Sequence, residues 1–300
     1  MKTGVMFPLL LLTLVATVLG SACSGSAPAE KPKIIVGSKD FTEQFIVGNM
    51  VASLMAENGY PVEKKIGLGG SALVHEALKK GDINVYVEYT GTGLTVMLKQ
   101  PVISDPDKAY EAVQKGYKEQ FNLVWLKSWG FNNTYALVMR KDQADQLGVK
   151  KVSDLSAQSK GMVLGATQEF IVRPDGLPGL ATAYGFAFKD AKGMDPGLMY
   201  SAVAEKQVDV ISGFATDGRI PALNLAVLAD DKAYFPPYYA APVVRQDLLD
   251  KSPQVAEILN KLAGKITDQT MASLNAAVDV QKRSPEDVAK EFLKSQGLVK

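Results

Sequence analysis

The stretch that decides the fold is DINVYVEYTGTG, residues 82–93. Its apolar run Ile83-Asn84-Val85-Tyr86-Val87 reads as a buried strand that ends in Glu88, Tyr89 and a cluster of threonine and glycine. Such a corner has three readings: a phosphate cradle, an ordinary turn, or a platform that presents the Tyr89 ring. The pattern recurs in QVDVISGFATDG, residues 207–218. There Asp82-Ile83-Asn84-Val85 falls on Gln207-Val208-Asp209-Val210, Tyr89 falls on Phe214, and Gly93 on Gly218.

The segments around these strands repeat as well. KIIVG (33–37) reads as a strand, TEQFIVGNMVASLMAENG (42–59) as a helix with Thr42 as N-cap and Gly59 as its end, and SALVHEALKKGD (71–82) as a helix from a Ser71 cap to Gly81. GMVLGATQEF (161–170) echoes KIIVGSKDF (33–41), and PGLMYSAVAEKQ (196–207) is a helical pattern leading into the second strand. Strands alternating with helices predict a mainly parallel α/β sheet. The duplication predicts two lobes with a cleft between them. Ligands of open α/β sheets bind beyond the carboxyl ends of strands. Tyr89 and Phe214 both lie just past such ends and are expected to face each other across the cleft. FPPYYAAP (235–242) is expected to be a crossing strand. The helical segments opening at Ser252-Pro253 and Ser284-Pro285 are expected to pack back on the first lobe.

The 33 Lys and Arg residues nearly balance the 32 Asp and Glu, a net charge of +1, so there is no basic excess of the kind nucleic-acid binding needs. The N-terminus carries Lys2, an apolar run over 5–19 and the small residues Gly20-Ser21-Ala22, which reads as a secretory signal over 1–22. The run is short against the ~20 apolar residues of a membrane span. Cys23 is the single cysteine, which excludes an intrachain disulfide. Its place after the small residues resembles a bacterial lipobox, although Gly20 stands where leucine is usual. The polar residues 23–32 then form a lipid-anchored tether.

The chain shows no catalytic constellation. His75 is the one histidine and sits in a helix pattern, where packing or surface exposure accounts for it. There is no Gly-x-Ser-x-Gly elbow, no His/Cys cluster with metal-ligand spacing and no P-loop. The glycines of residues 91–93 lack the third position of a dinucleotide fingerprint, which is Val96. No cofactor or metal is implied. A two-lobed α/β enzyme remains an alternative that would need a catalytic group the chain does not display.

Aromatic residues at strand ends form the stronger pattern: Tyr89, Tyr135 in NNTYALVMR (132–140), Tyr238 in PPYYAAP (236–242), and Phe214 by the echo. Rings lining a dry cleft suit a cation that donates no hydrogen bonds, as a quaternary ammonium does. Each ring contributes about 0.5 to 2 kcal/mol when desolvated.

VGSKDFTEQ (36–44), GLGGS (67–71), DINVYVEYTGTG (82–93), RPDGLPGL (173–180), LMYSAV (198–203), QVDVI (207–211) and PPY (236–238) together resemble the osmoprotectant-binding proteins of ABC importers. Their ligands are glycine betaine, choline, carnitine or proline betaine. The resemblance implies a two-lobed type II periplasmic-binding-protein fold of class α/β with two crossing strands. Residues 33–133 plus 236–300 would form lobe 1 and 134–235 lobe 2. It implies a trimethylammonium cage of Tyr89, Tyr135 and Tyr238, with Phe214 at a fourth position that is usually tyrosine. Arg173 would take the ligand carboxylate, with Lys39 and Thr92 completing the site, and Asn133 and Glu169 would make lobe-closing contacts. The implied protein is a monomeric, non-enzymatic receptor, lipid-anchored through Cys23, that delivers ligand to a permease driven by an ATPase. Choline as the main ligand is the alternative, and it would leave Arg173 little to do.

Overall fold

The decisive run forms a strand whose five residues, Val85–Tyr89, are all buried. The computed structural model describes residues 1–4 and 30–300, so the signal and the lipidation of Cys23 lie outside the described residues. Among those residues, ten strands build two five-stranded sheets. The strands are β1 (Ile34–Gly37), β2 (Val62–Lys65), β3 (Val85–Tyr89), β4 (Leu123–Trp125), β5 (Tyr135–Arg140), β6 (Val163–Ala166), β7 (Asp190–Gly193), β8 (Val210–Phe214), β9 (Leu225–Val227) and β10 (Ala240–Arg245).

The two sheets have the same plan. One runs β2-β1-β3-β10-β4 and the other β7-β6-β8-β5-β9. In each, four strands run the same way and one runs against them, beside the strand that carries the repeated motif: β10 between β3 and β4, and β5 between β8 and β9. Each sheet is thus mainly parallel in strand direction, as expected, with one reversed strand that the repeat did not foretell. The reason is connectivity. The antiparallel strand in each sheet is the one the chain enters on crossing from the other lobe, so no right-handed crossover helix sets its direction. The chain crosses once between β4 and β5 and again between β9 and β10. An isolated bridge from Asn132 to Tyr239 joins the two crossings. The expected crossing strand at 235–242 thus divides. Its end, from Ala240, belongs to the first sheet, and the part before it is the crossing.

The helix Thr42–Glu57 already includes its expected cap as its first residue: Phe41 holds the N-cap position, and the Thr42 hydroxyl donates to Asp279 instead. Its Ile46, Val47, Met50 and Leu54 are fully buried and share one core with Val288 and Leu293 of the helix Pro285–Ser295. That last helix has the expected start, with Ser284 accepting from the Asp287 N–H and Pro285 in the first turn. The helix Ser71–Lys80 ends at the left-handed Gly81 as expected, but Gly70 and not Ser71 holds its N-cap position, without a side-chain cap.

Candidate functional site

All seven expected ligand residues, Lys39, Tyr89, Thr92, Tyr135, Arg173, Phe214 and Tyr238, line one cavity of about 380 Å³. The mixed sheets bring them there. Tyr89 ends β3 and Phe214 ends β8, Tyr135 opens β5 directly opposite Phe214, and Tyr238 lies two residues before β10. Lys39 follows β1, and Arg173 follows the short helix Gln168–Val172.

The corner after Tyr89 is a ring seat, not a phosphate cradle. The Tyr238 ring lies on Gly91, where a Cβ would stand 2.6 Å from two of its carbons. The glycine is there because a second aromatic needs the space.

The rings touch one another. Tyr135 lies 5.2 Å from Phe214 and 5.5 Å, edge-on, from Tyr238. Tyr89 and Phe214 do not meet directly. Phe41 stands between them, stacked at 5.4 Å on Phe214 and at 6.3 Å on Tyr89. Phe41 is a cavity residue that the sequence reading missed, although KDF lay inside the quoted motif. It lies four residues past β1, at the entry to the helix Thr42–Glu57, so the strand-end pattern that singled out Tyr89 and Phe214 did not reach it. Burial pushes the hydroxyls of Tyr89, Tyr135 and Tyr238 above their ordinary pKa, so these rings stay neutral.

The polar side of the cavity is organised around Arg173. Its Nε and Nη2 grip the Asp175 carboxylate at 2.6 and 2.8 Å, a bidentate pair in which both side chains are nearly inaccessible. Nη1 donates to the Tyr135 hydroxyl at 3.0 Å and to Glu169 at 3.2 Å, and Nη2 also donates to Thr92 at 3.2 Å. All five N–H groups of the guanidinium are thus engaged. Asp175 also accepts from the Tyr238 hydroxyl at 2.6 Å. Asp175 was missed in the sequence, although it sits two residues after Arg173 in the quoted RPDG. Lys39 is paired with the buried Glu88 and stands 4.9 Å from the Tyr89 ring centre.

The Tyr238 bond to Asp175 is one of several contacts that join residues 33–133 and 236–300 to residues 134–235 around the cavity. Arg173 reaches Thr92, Glu169 accepts from the Ser71 N–H at 3.2 Å, and Thr216 donates to Glu43. Glu43 accepts as well from Tyr89 at 2.7 Å, Asn133 at 2.8 Å and Asn275 at 3.1 Å. Burial lifts its pKa above the usual carboxylate range despite these four donors. Glu43 was also missed, since nothing in TEQ marks one carboxylate as fully buried. His75, by contrast, packs away from the cavity against Tyr117 and Phe121.

Fold and cavity together define a two-lobed binding protein. The sequence profile described as "Substrate binding domain of ABC-type glycine betaine transport system" matches residues 32–295, and the chain belongs to that family. It is similar, at 39% identity over 91% of its length, to "Ergothioneine transport permease/ergothioneine binding protein EgtU" of Helicobacter pylori (strain G27). It spans about half of that relative, 49%. It is 38% identical to "Carnitine transport binding protein OpuCC" of Listeria monocytogenes, covering 96% of this chain and 94% of the relative. A solved structure, "Crystal structure of glycine betaine/carnitine/choline ABC transporter", superposes with a TM-score of 0.73 at 38% identity, over 88% of this chain and 99% of that one. The family is one of transporter substrate-binding proteins, not enzymes. Such proteins work outside the cytoplasm. No helix among the described residues is long and apolar enough to cross a membrane.

Proposed function

We propose that this protein captures a quaternary ammonium zwitterion, glycine betaine or a relative of it, between its two lobes and delivers it to a membrane permease. The lobes comprise residues 33–133 plus 236–300 and residues 134–235, and Cys23 carries the lipid anchor of a monomeric receptor. The observation that carries the reading is the ring cluster: Phe41, Tyr89, Tyr135, Phe214 and Tyr238 line one cavity and come from both sheets' strand ends. Their quadrupoles attract a trimethylammonium that no hydrogen bond can hold. Lys39, Thr92 and Arg173 supply donors for the far end of the ligand. Ligand touching both lobes favours the closed arrangement, the one a permease would receive.

A second reading has its own support. The five donors of Arg173 are already engaged and two carboxylates face them, which favours a cation without a carboxylate, such as choline. Calorimetric titration with glycine betaine, choline, carnitine and proline betaine, with glycine as control, tests both. Saturable binding of trimethylated ligands and none of glycine is expected. A protein blind to all four refutes the cage.

A further inference from the structure

Arg173 faces two carboxylates of unequal standing. Asp175 is fully buried, is held by two hydrogen bonds from the guanidinium and one from Tyr238, and cannot leave without stranding a charge. Glu169 is held by one 3.2 Å bond from Nη1 and one 3.2 Å bond from the Ser71 N–H, and its side chain is 29% exposed. One guanidinium between two carboxylates leaves a local charge of about −1, into which a ligand carboxylate would bring a second negative charge. Lys39 does not relieve this, being paired with Glu88. We propose that Glu169 is a built-in stand-in for the ligand carboxylate. It occupies the Arg173 donor whose acceptor is the most exposed and most weakly held carboxylate, and a zwitterion must swing it out to solvent before its own carboxylate can bind. Glu169 thereby sets the preference between zwitterions and carboxylate-free cations at this site. The inference rests on the cage reading above.

The exchange is geometrically simple. The two atoms that hold Glu169, Arg173 Nη1 and the Ser71 N–H, come from opposite lobes and both face the same cavity wall. A ligand carboxylate placed there would bridge the lobes as Glu169 does now. Choline has no group for these donors and leaves Glu169 in place, keeping a negative charge near its cation.

The test is the ratio of glycine betaine to choline affinity in the purified wild-type protein and in Glu169→Gln, by calorimetry. Gln keeps the shape and an acceptor for Arg173 and loses the charge. The ratio is expected to move about five- to tenfold toward betaine, with choline unchanged or weaker. Glu169→Ala should shift the ratio the same way, and melting curves of both variants check that they are folded. Two outcomes overturn the inference alone: wild type binding both ligands with a ratio that Glu169→Gln leaves within twofold, or a selective loss of betaine binding in that variant. The latter would make Glu169 a closing contact only. A wild type blind to both ligands overturns the cage reading and this inference with it.

Discussion

Replacing Arg173 by Met should damage the fold before it damages recognition. The Arg173 and Asp175 side chains are 3% and 0% exposed, and their bidentate pair joins the cavity wall to Tyr238. Removing the guanidinium leaves Asp175 as a buried anion with a single tyrosine donor. Breaking a buried pair from one side costs about 3 to 5 kcal/mol, because the survivor is desolvated without a counter-charge. The change also removes the cation–π contacts of Arg173 with Tyr135 at 5.1 Å and Tyr238 at 5.9 Å. At about 2 to 4 °C per kcal/mol for a chain of this size, the melting temperature should fall by roughly 6 to 20 °C.

The control is the double variant Arg173→Met/Asp175→Leu, read by urea unfolding. Exchanging both partners of a buried pair for apolar groups is often near neutral. The remaining loss is the Tyr238 hydroxyl left without an acceptor, about 1 to 3 kcal/mol. The double variant should therefore be more stable than the single one. A single variant that melts within 2 °C of wild type would refute the reasoning, because the pair would then be worth no more than a surface ion pair. For the same reason, weak ligand binding by an Arg173 variant is not by itself a sign of carboxylate contact. Only a loss that differs between betaine and choline is.

Three further expectations follow from the same geometry. Phe41→Ala removes the ring stacked on both Tyr89 and Phe214 and should weaken ligand binding by about 1 to 3 kcal/mol in calorimetry; affinity within twofold of wild type would remove Phe41 from the cage. Gly91→Ala places a methyl against the Tyr238 ring and should weaken binding with a smaller effect on unfolding, whereas unchanged affinity would mean that Tyr238 can move without consequence. His75 is buried, its two ring nitrogens have no partner, and burial lowers its pKa from 6.5 to about 4. The unfolded chain then binds more protons between those values, so this group's contribution falls as pH drops from 6.5 toward 4. Against His75→Phe, wild type should lose about 2 to 3 kcal/mol across that window; parallel stability curves would refute it.

The two motif strands were legible because each is a short apolar run closed by glycines, and their register as duplicates needed only the spacing of Tyr89 and Phe214. The antiparallel neighbours β5 and β10 were not legible, since strand direction depends on where the chain re-enters a sheet and leaves no period in the sequence. The same distinction holds in the cavity. Tyr89, Tyr135 and Tyr238 stand out as aromatics at strand ends or turns. Phe41 reads as an ordinary apolar residue before a helix until β1 and β8 are set side by side. Asp175 and Glu43 are two among 32 acidic residues, and only the structure shows that they are among the few that are buried.

That burial links the cage to the lobes. The Tyr89 hydroxyl donates to Oε1 of Glu43, and Oε2 accepts from Thr216 on the other side of the cavity. Asn133, on the first crossing, donates to the same carboxyl group. One side chain in the helix Thr42–Glu57 thus holds a cage ring, a crossing segment and the opposite lobe at once. When the lobes part, Glu43 loses Thr216, and Phe41 loses its stack on Phe214. When they close, both return together with the Arg173 bond to Thr92. The contacts that join the two sides of the cavity therefore include hydrogen bonds and a ring stack made by the protein's own side chains. Glu169 belongs to the same set, since it accepts from Arg173 on one side and from the Ser71 N–H on the other, and so leaves neither donor unpaired.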